Sequence, residues 1–280
     1  MKNWLALLSG LLFALTSWTS TAAAPEALRV GLFPNLSTRL LLETYQPMRD
    51  FLEHRLGRPV TLFTAPDFNS FVSRTQSGEY DLIVTAPHFA RLAQTESGYQ
   101  PLFSYRNNIT AAIVVAKNSR FTDLNTLRGQ KIAAPDRIAV VTMLGLKMLR
   151  NKGMEANKNY HFHWAGTHGN VALAVLNGEA AAGIIGMLPL KQLPENVSQQ
   201  LHVLSISPAI DSQMILAHQR VEPGSLRQIR EALVQFEKSP AGQEFFRTTS
   251  LVGLKPLSID DLKQLDPYAR EVRRMLELPR

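Results

Sequence analysis

This chain predicts an α/β protein of two lobes, each a mostly parallel sheet flanked by helices, with two crossovers acting as the hinge. Three observations carry that expectation. Residues 78–84 (GEYDLIV) and 178–185 (GEAAAGII) both read as a helix end followed by a buried strand, at a numbering offset of one hundred. Each closes a run of strand, helix, strand, helix, strand, one beginning at Leu28 and the other near Gln130. That alternation places parallel strands under helices on both faces. The run from Asp81 to Thr85 is continuously apolar after its first residue, the pattern of a strand buried on both sides.

The elements follow in order. Residues 28–33 (LRVGLF) form a strand ended by Pro34-Asn35, and a helix follows over Ser37–Leu56. Its apolar positions Leu41, Tyr45, Met48, Leu52 and Leu56 step by three and four along one face. Gly57 stops it, Val60–Thr64 is a strand, and Asp67 is placed to cap a helix carrying Phe68, Phe71 and Val72. Pro101–Tyr105 and Thr110–Lys117 are strands, the second leading out of the first lobe. In the second run, Lys131–Ala134 is a strand, Ile138–Lys152 a helix, Tyr160–Trp164 a strand, Thr167–Leu176 a helix and Ala182–Met187 a strand. Pro189–Pro194 reads as a linker, and Leu201–Ile206 and Gln213–His218 as strands returning to the first lobe. A helix from Pro223 to Lys238 and final helices over Ser258–Leu276 complete the chain. The expected division is residues 1–23 as a leader, 24–110 with 211–280 as lobe 1, and 111–210 as lobe 2.

The leader is a secretory signal peptide: Lys2, an apolar run from Trp4 to Trp18, then small residues from Thr19 to Ala24. The run is shorter than the roughly 20 residues a membrane-spanning helix needs. Export to a bacterial periplasm follows as the expected location. The chain has no cysteine, which excludes disulfides, thiolate metal sites, cysteine nucleophiles and a lipid anchor on cysteine. A formal charge of +7 suits an anionic ligand without requiring one. The basic residues form no stripe interleaved with aromatics, so no nucleic-acid partner is expected.

In parallel α/β sheets, ligands sit beyond the carboxyl ends of the strands. Six turns qualify: 34–36, 66–68, 85–89, 135–138, 166–170 and 186–188. Helix N-termini at such turns offer N–H groups to an anion. Asp67 and Asp136 each follow a strand and a proline, and both are read as helix caps. Phe68 and Tyr45 fit helical core spacing, and Phe89 is expected to be the more exposed to the cleft. His161 and His163 share one face of a strand, a spacing zinc accepts, but a structural role is the expected one, with no metal and no cofactor. His168 opens a helix at a strand end. Neither a nucleophile elbow, nor a paired-histidine zinc motif, nor a phosphate-binding glycine loop is present, and no catalytic residue is assigned.

Taken together, LRVGLFPN (28–35), FLEHRLGRPVTL (51–62), SGEYDLIVTAPHFARLA (77–93), LRGQKIAAPD (127–136), THGNVALAVLNGEAAAG (167–183) and VLSISPAIDSQMILAH (203–218) resemble the substrate-binding proteins of phosphate, phosphite and phosphonate ABC transporters. Those proteins have the type II periplasmic binding fold. The resemblance implies a monomeric periplasmic protein that takes a phosphonate- or phosphate-like or other organic anion between its lobes and delivers it to an ABC permease. The alternative output is a signal to a membrane sensor such as a histidine kinase or cyclase. The family's hydroxyl-rich phosphoryl turn falls on Ile138-Ala139-Val140-Val141, so its hydroxyls are missing here. An aspartate of the family is replaced by Ala181 or Ala182, its tyrosine is matched by Phe89 and a second aromatic by Phe68, and a Ser-His pair survives as Thr167-His168. Arg137, beside the altered turn, offers a bidentate cation in place of the hydroxyls. The binding residues expected on these grounds are Asn35, Phe68, Thr85, His88, Phe89, Arg137, Ile138, Ala139, Thr167 and His168.

Overall fold

The computed structural model describes residues 26–277. The expected signal peptide and its cleavage site lie outside them. The first lobe's opening strands and helices are β1 (Leu28–Leu32), α1 (Thr38–Leu56), β2 (Val60–Phe63), α2 (Phe68–Gln76), β3 (Leu82–Thr85), α3 (Pro87–Glu96) and β4 (Tyr99–Tyr105). A short strand β5 (Asn108–Ile109) leads into β6 (Ala111–Ala116), a 3-10 turn at Leu124–Leu127, β7 (Lys131–Ala134), α4 (Val140–Arg150), β8 (His161–Trp164), α5 (His168–Leu176) and β9 (Ala182–Gly186). Then come α6 (Met187–Gln192), α7 (Glu195–Ser198), β10 (Leu201–Ile206), β11 (Ile210–Asp211) and β12 (Met214–His218). The chain finishes with α8 (Pro223–Lys238), α9 (Pro240–Thr249), β13 (Leu254–Pro256), α10 (Ile259–Lys263) and α11 (Asp266–Glu277).

Two sheets result, with orders β13-β4-β12-β3-β1-β2 and β10-β6-β9-β7-β8. Each has a parallel core of three strands, β2-β1-β3 and β8-β7-β9. Each strand added to those cores pairs antiparallel with its neighbour, and β6 and β12, which adjoin the cores, lie next to the segments that carry the chain from one lobe to the other and back. Between the sheets the two crossing segments pair with each other, Ile210 opposite Ile109 and Asp211 opposite Asn108. This two-stranded ladder is the hinge.

Alternation along the parallel strands sorts the first lobe's core. Leu28, Val30, Leu32, Leu82 and Val84 pack with α1, α8 and α9 on one face of the sheet. Ile83 faces the other way, with Phe71, Phe89, Leu92 and the C-terminal helices. Gly242, in the first turn of α9, lets that helix lie against the end of α8: a Cβ there would fall 1.7 Å from the Phe236 carbonyl oxygen.

The repeated segment is duplicated in geometry as well as in letters. Gly78 and Gly178 leave their helices at φ 69° and 77°, a conformation that glycine adopts without strain. Glu79 N–H returns to Arg74 O (3.0 Å) and Glu179 N–H to Ala174 O (2.9 Å); Asp81 N–H then reaches Arg29 O (2.8 Å) and Ala181 N–H reaches Lys131 O (2.9 Å).

One expectation needs correction, and two elements went unread. The stretch read as a linker, 189–194, is largely α6, since Pro189 sits in the first turn, where a missing N–H costs no helical hydrogen bond. Proline also concealed α9, where Pro240 takes the first helical position after the Ser239 cap. It concealed β13 as well, an edge strand that tolerates Pro256.

Candidate functional site

The turns at the carboxyl ends of the parallel strands meet where α4 begins. Asp136 does not cap that helix, contrary to expectation. Its Oδ1 accepts the Ile138 N–H at 2.9 Å in a tight turn, its own carbonyl takes the Ala139 N–H at 3.3 Å, and the cap position falls to Ala139. The helix therefore starts two residues later than the apolar pattern indicated. The first helical return bond is Met143 N–H to Ala139 O (3.2 Å), so the N–H groups of Val140, Val141 and Thr142 have no acceptor within the helix. Arg137, half-buried beside this end, makes no hydrogen bond or ion pair among the described residues. Asp67, by contrast, is a helix cap as read, accepting from Ser70 N–H at 2.7 Å.

Facing α4 from the first lobe is a row of rings. Phe33 stacks near Phe68 (6.2 Å between centroids, 19° between planes), Phe68 lies 5.8 Å from Phe89, and the His88 ring is 4.0 Å from Phe89. The row ends on the second lobe, where His88 Nε2 donates to the Ile138 carbonyl at 2.8 Å. Because a carbonyl only accepts, Nε2 carries the proton and Nδ1 is left as an acceptor; no donor reaches it. Burial holds the imidazole neutral, lowering its pKa to about 4, only partly offset by the hydrogen bond to Ile138. Phe68 packs against the hydrophobic cores of both lobes.

The ten expected residues fare differently. His88, Phe89, Phe68, Ile138 and Ala139 are brought together, with Arg137 next to them in the chain. Phe89 is 3% exposed, buried rather than open to the cleft as expected, because Phe68 covers it on one side and His88 on the other. Thr85 is fully buried and its hydroxyl has no partner. Asn35 is exposed, its N–H turned back on Phe33 O at 2.9 Å. Thr167 caps α5, accepting from Asn170 N–H at 3.1 Å. The neighbouring turn is tied to the α4 side, since Gly166 N–H donates to Pro135 O at 2.9 Å. His168 keeps Nδ1 out of solvent without a partner, and desolvation lowers its pKa to about 4. Tyr45 is a core residue, packed edge-on against Phe245 at 5.4 Å.

Two residues escaped the sequence reading. Phe33 ends the LRVGLF run at a strand's carboxyl end, the signal that marked the other turns. Thr142 follows the aliphatic Ile138–Val141 stretch by one position and places a fully buried hydroxyl without a partner in the first turn of α4. Ala181, read as a lost acid of the anion site, lies at the amino end of β9. At the matching position Asp81 accepts from Arg29 N–H (2.7 Å) and Arg220 Nε (2.7 Å), away from the carboxyl ends where the cleft turns gather. That acid is a clamp between chain segments. His163 pairs with Glu179 at 3.6 Å, and no group of three His, Asp or Glu suited to a metal occurs among the described residues.

What the geometry offers is a cation and three helix N-terminal N–H groups beside apolar rings, a set of donors suited to an anion with an apolar part. The fold recurs in solved structures. PhnD1 from Prochlorococcus marinus, in complex with methylphosphonate, has a TM-score of 0.78 at 14% identity, over 89% of this chain and 98% of that one. A Xanthomonas citri protein bound to ATP has a TM-score of 0.75 at 17% identity, over 89% and 97%. The VFT2 domain of Bordetella pertussis BvgS has a TM-score of 0.55 at 16% identity, over 80% and 92%. Residues 30–262 match the family model described as ABC transporter, phosphonate, periplasmic substrate-binding protein, and the chain belongs to that family.

Proposed function

We propose that this protein is a monomeric, exported periplasmic solute-binding protein that closes its lobes on an organic anion and presents it to an ABC permease. The observation that carries the anionic ligand is Arg137, half-buried and without a partner among the described residues, next in the chain to three N–H groups that α4 leaves open. A dianionic phosphonate is one member of that class, since PhnD1 holds methylphosphonate. The aliphatic stretch Ile138–Val141, at most 8% exposed at each position, favours an anion that also carries an apolar group. Binding needs no covalent step, and hinge closure at the β5–β11 ladder supplies the conformational signal.

Titration calorimetry with methylphosphonate, phosphate, ATP and a series of alkyl and aryl phosphonates and sulfonates tests the ligand class. Arg137→Ala is expected to weaken the best ligand at least tenfold, in keeping with loss of a charge-assisted hydrogen bond worth about 1.5–3 kcal/mol. Unchanged affinity removes Arg137 from the site.

One observation favours a second output. His88 and Phe68 join the lobes directly, and a change in the lobe angle that breaks this contact is a signal for a sensor to read. Co-purification from bacterial membranes separates the readings: an ATPase with its permease supports transport, whereas a membrane kinase or cyclase supports sensing.

A further inference from the structure

We infer that the face of α4 bearing Met143, Lys147 and Arg150 is a second ligand site, for an organic anion with an apolar body, and that its occupancy sets the angle between the lobes. Helix α4 presents Met143, Lys147 and Arg150, four and three residues apart and therefore on one face, to a groove of about 750 Å3. Its opposite wall comes from α10 and α11 and its end from the hinge ladder, so both lobes and the hinge contribute. The volume lies within the range of roughly 300–1,000 Å3 typical of small-molecule pockets.

The charges around the groove are not equally available. Asp211 receives Lys255 Nζ at 2.6 Å, Asp261 receives the N–H and hydroxyl of Ser258 at 2.8 and 2.7 Å, and Glu271 receives Arg274 at 2.9 Å. Lys147 and Arg150 have no carboxylate within ion-pair distance among the described residues, and the hydroxyl of Tyr268 has no hydrogen-bond partner there. The carboxylates are thus committed and the donors are not. Met143 and Leu265, both buried, supply apolar wall beside them, with the half-buried Tyr268 ring packed against the cores of both lobes. A bound anion with an apolar body satisfies the two cations and covers that wall. Because the walls belong to different lobes, it also opposes any hinge motion that changes their separation.

The test uses the full chain and the fluorescent anion 8-anilinonaphthalene-1-sulfonate. Wild type is expected to bind it saturably. The double variant Lys147→Gln/Arg150→Gln is expected to raise Kd at least tenfold, and Gln264→Trp, which fills the groove from an exposed position, to do likewise. Arg137→Ala is expected to change Kd less than twofold, which separates this groove from the interlobe cleft. Thermal unfolding of each variant establishes that it is folded. No saturable binding by wild type, Kd values within twofold for both groove variants, or loss of binding on Arg137→Ala would each overturn the assignment.

Discussion

Acidification should loosen this protein in part through the buried ring of His88, and the size of that contribution follows from its surroundings. His88 is 1% exposed, donates from Nε2 to the Ile138 carbonyl and has no partner for Nδ1. Protonation would put a second N–H on Nδ1 with nothing to receive it and a charge where water is excluded, so the folded-state pKa falls from 6.5 to about 4. The unfolded chain binds the proton from about pH 6.5 downward and the folded chain does not. The stability contribution is therefore complete above pH 6.5 and declines as pH falls toward 4, by up to about 3 kcal/mol at 1.36 kcal/mol per pKa unit. The hydrogen bond joins the lobes, so closure carries the same sign: opening hydrates the ring and is favoured by acid. Urea unfolding at pH 7.5, 5.5 and 4.5, with wild type beside His88→Phe, measures this. At pH 7.5 the variant should be less stable by about 1–3 kcal/mol, since the Ile138 carbonyl loses its donor. Its stability should then fall more slowly with acid than that of wild type, shifting the difference between them by about 2.5 kcal/mol in the variant's favour by pH 4.5. His168 titrates in the same window in both proteins and cancels in that difference. Parallel curves would refute the claim that His88 is held neutral by burial.

Other consequences are open to the same denaturation assay. Phe245→Ala removes a ring that is 2% exposed and meets Tyr45, Phe236 and Phe246, and should cost about 3–5 kcal/mol. Asp81→Ala leaves the Arg29 N–H without its carboxylate and frees Arg220, for a loss of about 1–3 kcal/mol, while affinity for the cleft anion should be unchanged because the residue lies at the amino end of β3. Gly242→Ala forces a methyl group into the Phe236 backbone carbonyl, which cannot rotate away as a side chain would, and should cost about 3 kcal/mol or more, seen as a lower Tm.

The parallel cores were legible because their signals are local. An apolar run, a turn and a helix ended by glycine sit next to one another in the chain, and the backbone bonds of Gly78, Glu79 and Asp81 recur at Gly178, Glu179 and Ala181. The errors in element assignment after β9 share an origin in proline. Pro189, Pro240 and Pro256 each look like interruptions, yet a first helical turn and a sheet edge have no use for the missing N–H, so α6, α9 and β13 form around them. At the site, residue types were read more reliably than their surroundings. Asp67 caps its helix, but Asp136, in a similar local setting, ties a turn two residues on. Phe89 was placed at the right turn and on the wrong side of the protein surface. What buries it is Phe68, twenty-one residues earlier, and no local pattern records that contact.

Alternation of apolar runs with helical faces was enough to specify two α/β lobes, since each run has to bury itself against the nearest compatible element and parallel strands leave few ways to do so. The sequence also shows that 138–141, where the resemblance places the family's phosphoryl-binding turn, reads Ile-Ala-Val-Val and carries no hydroxyl. Only the folded arrangement decided that Phe33, Phe68, Phe89 and His88 form one row ending on Ile138, and that the adjacent residue Arg137 makes no ion pair among the described residues. Those outcomes depend on groups from separate segments meeting across the two lobes. Burial, tautomer and charge balance are properties of that meeting, and no residue carries them alone.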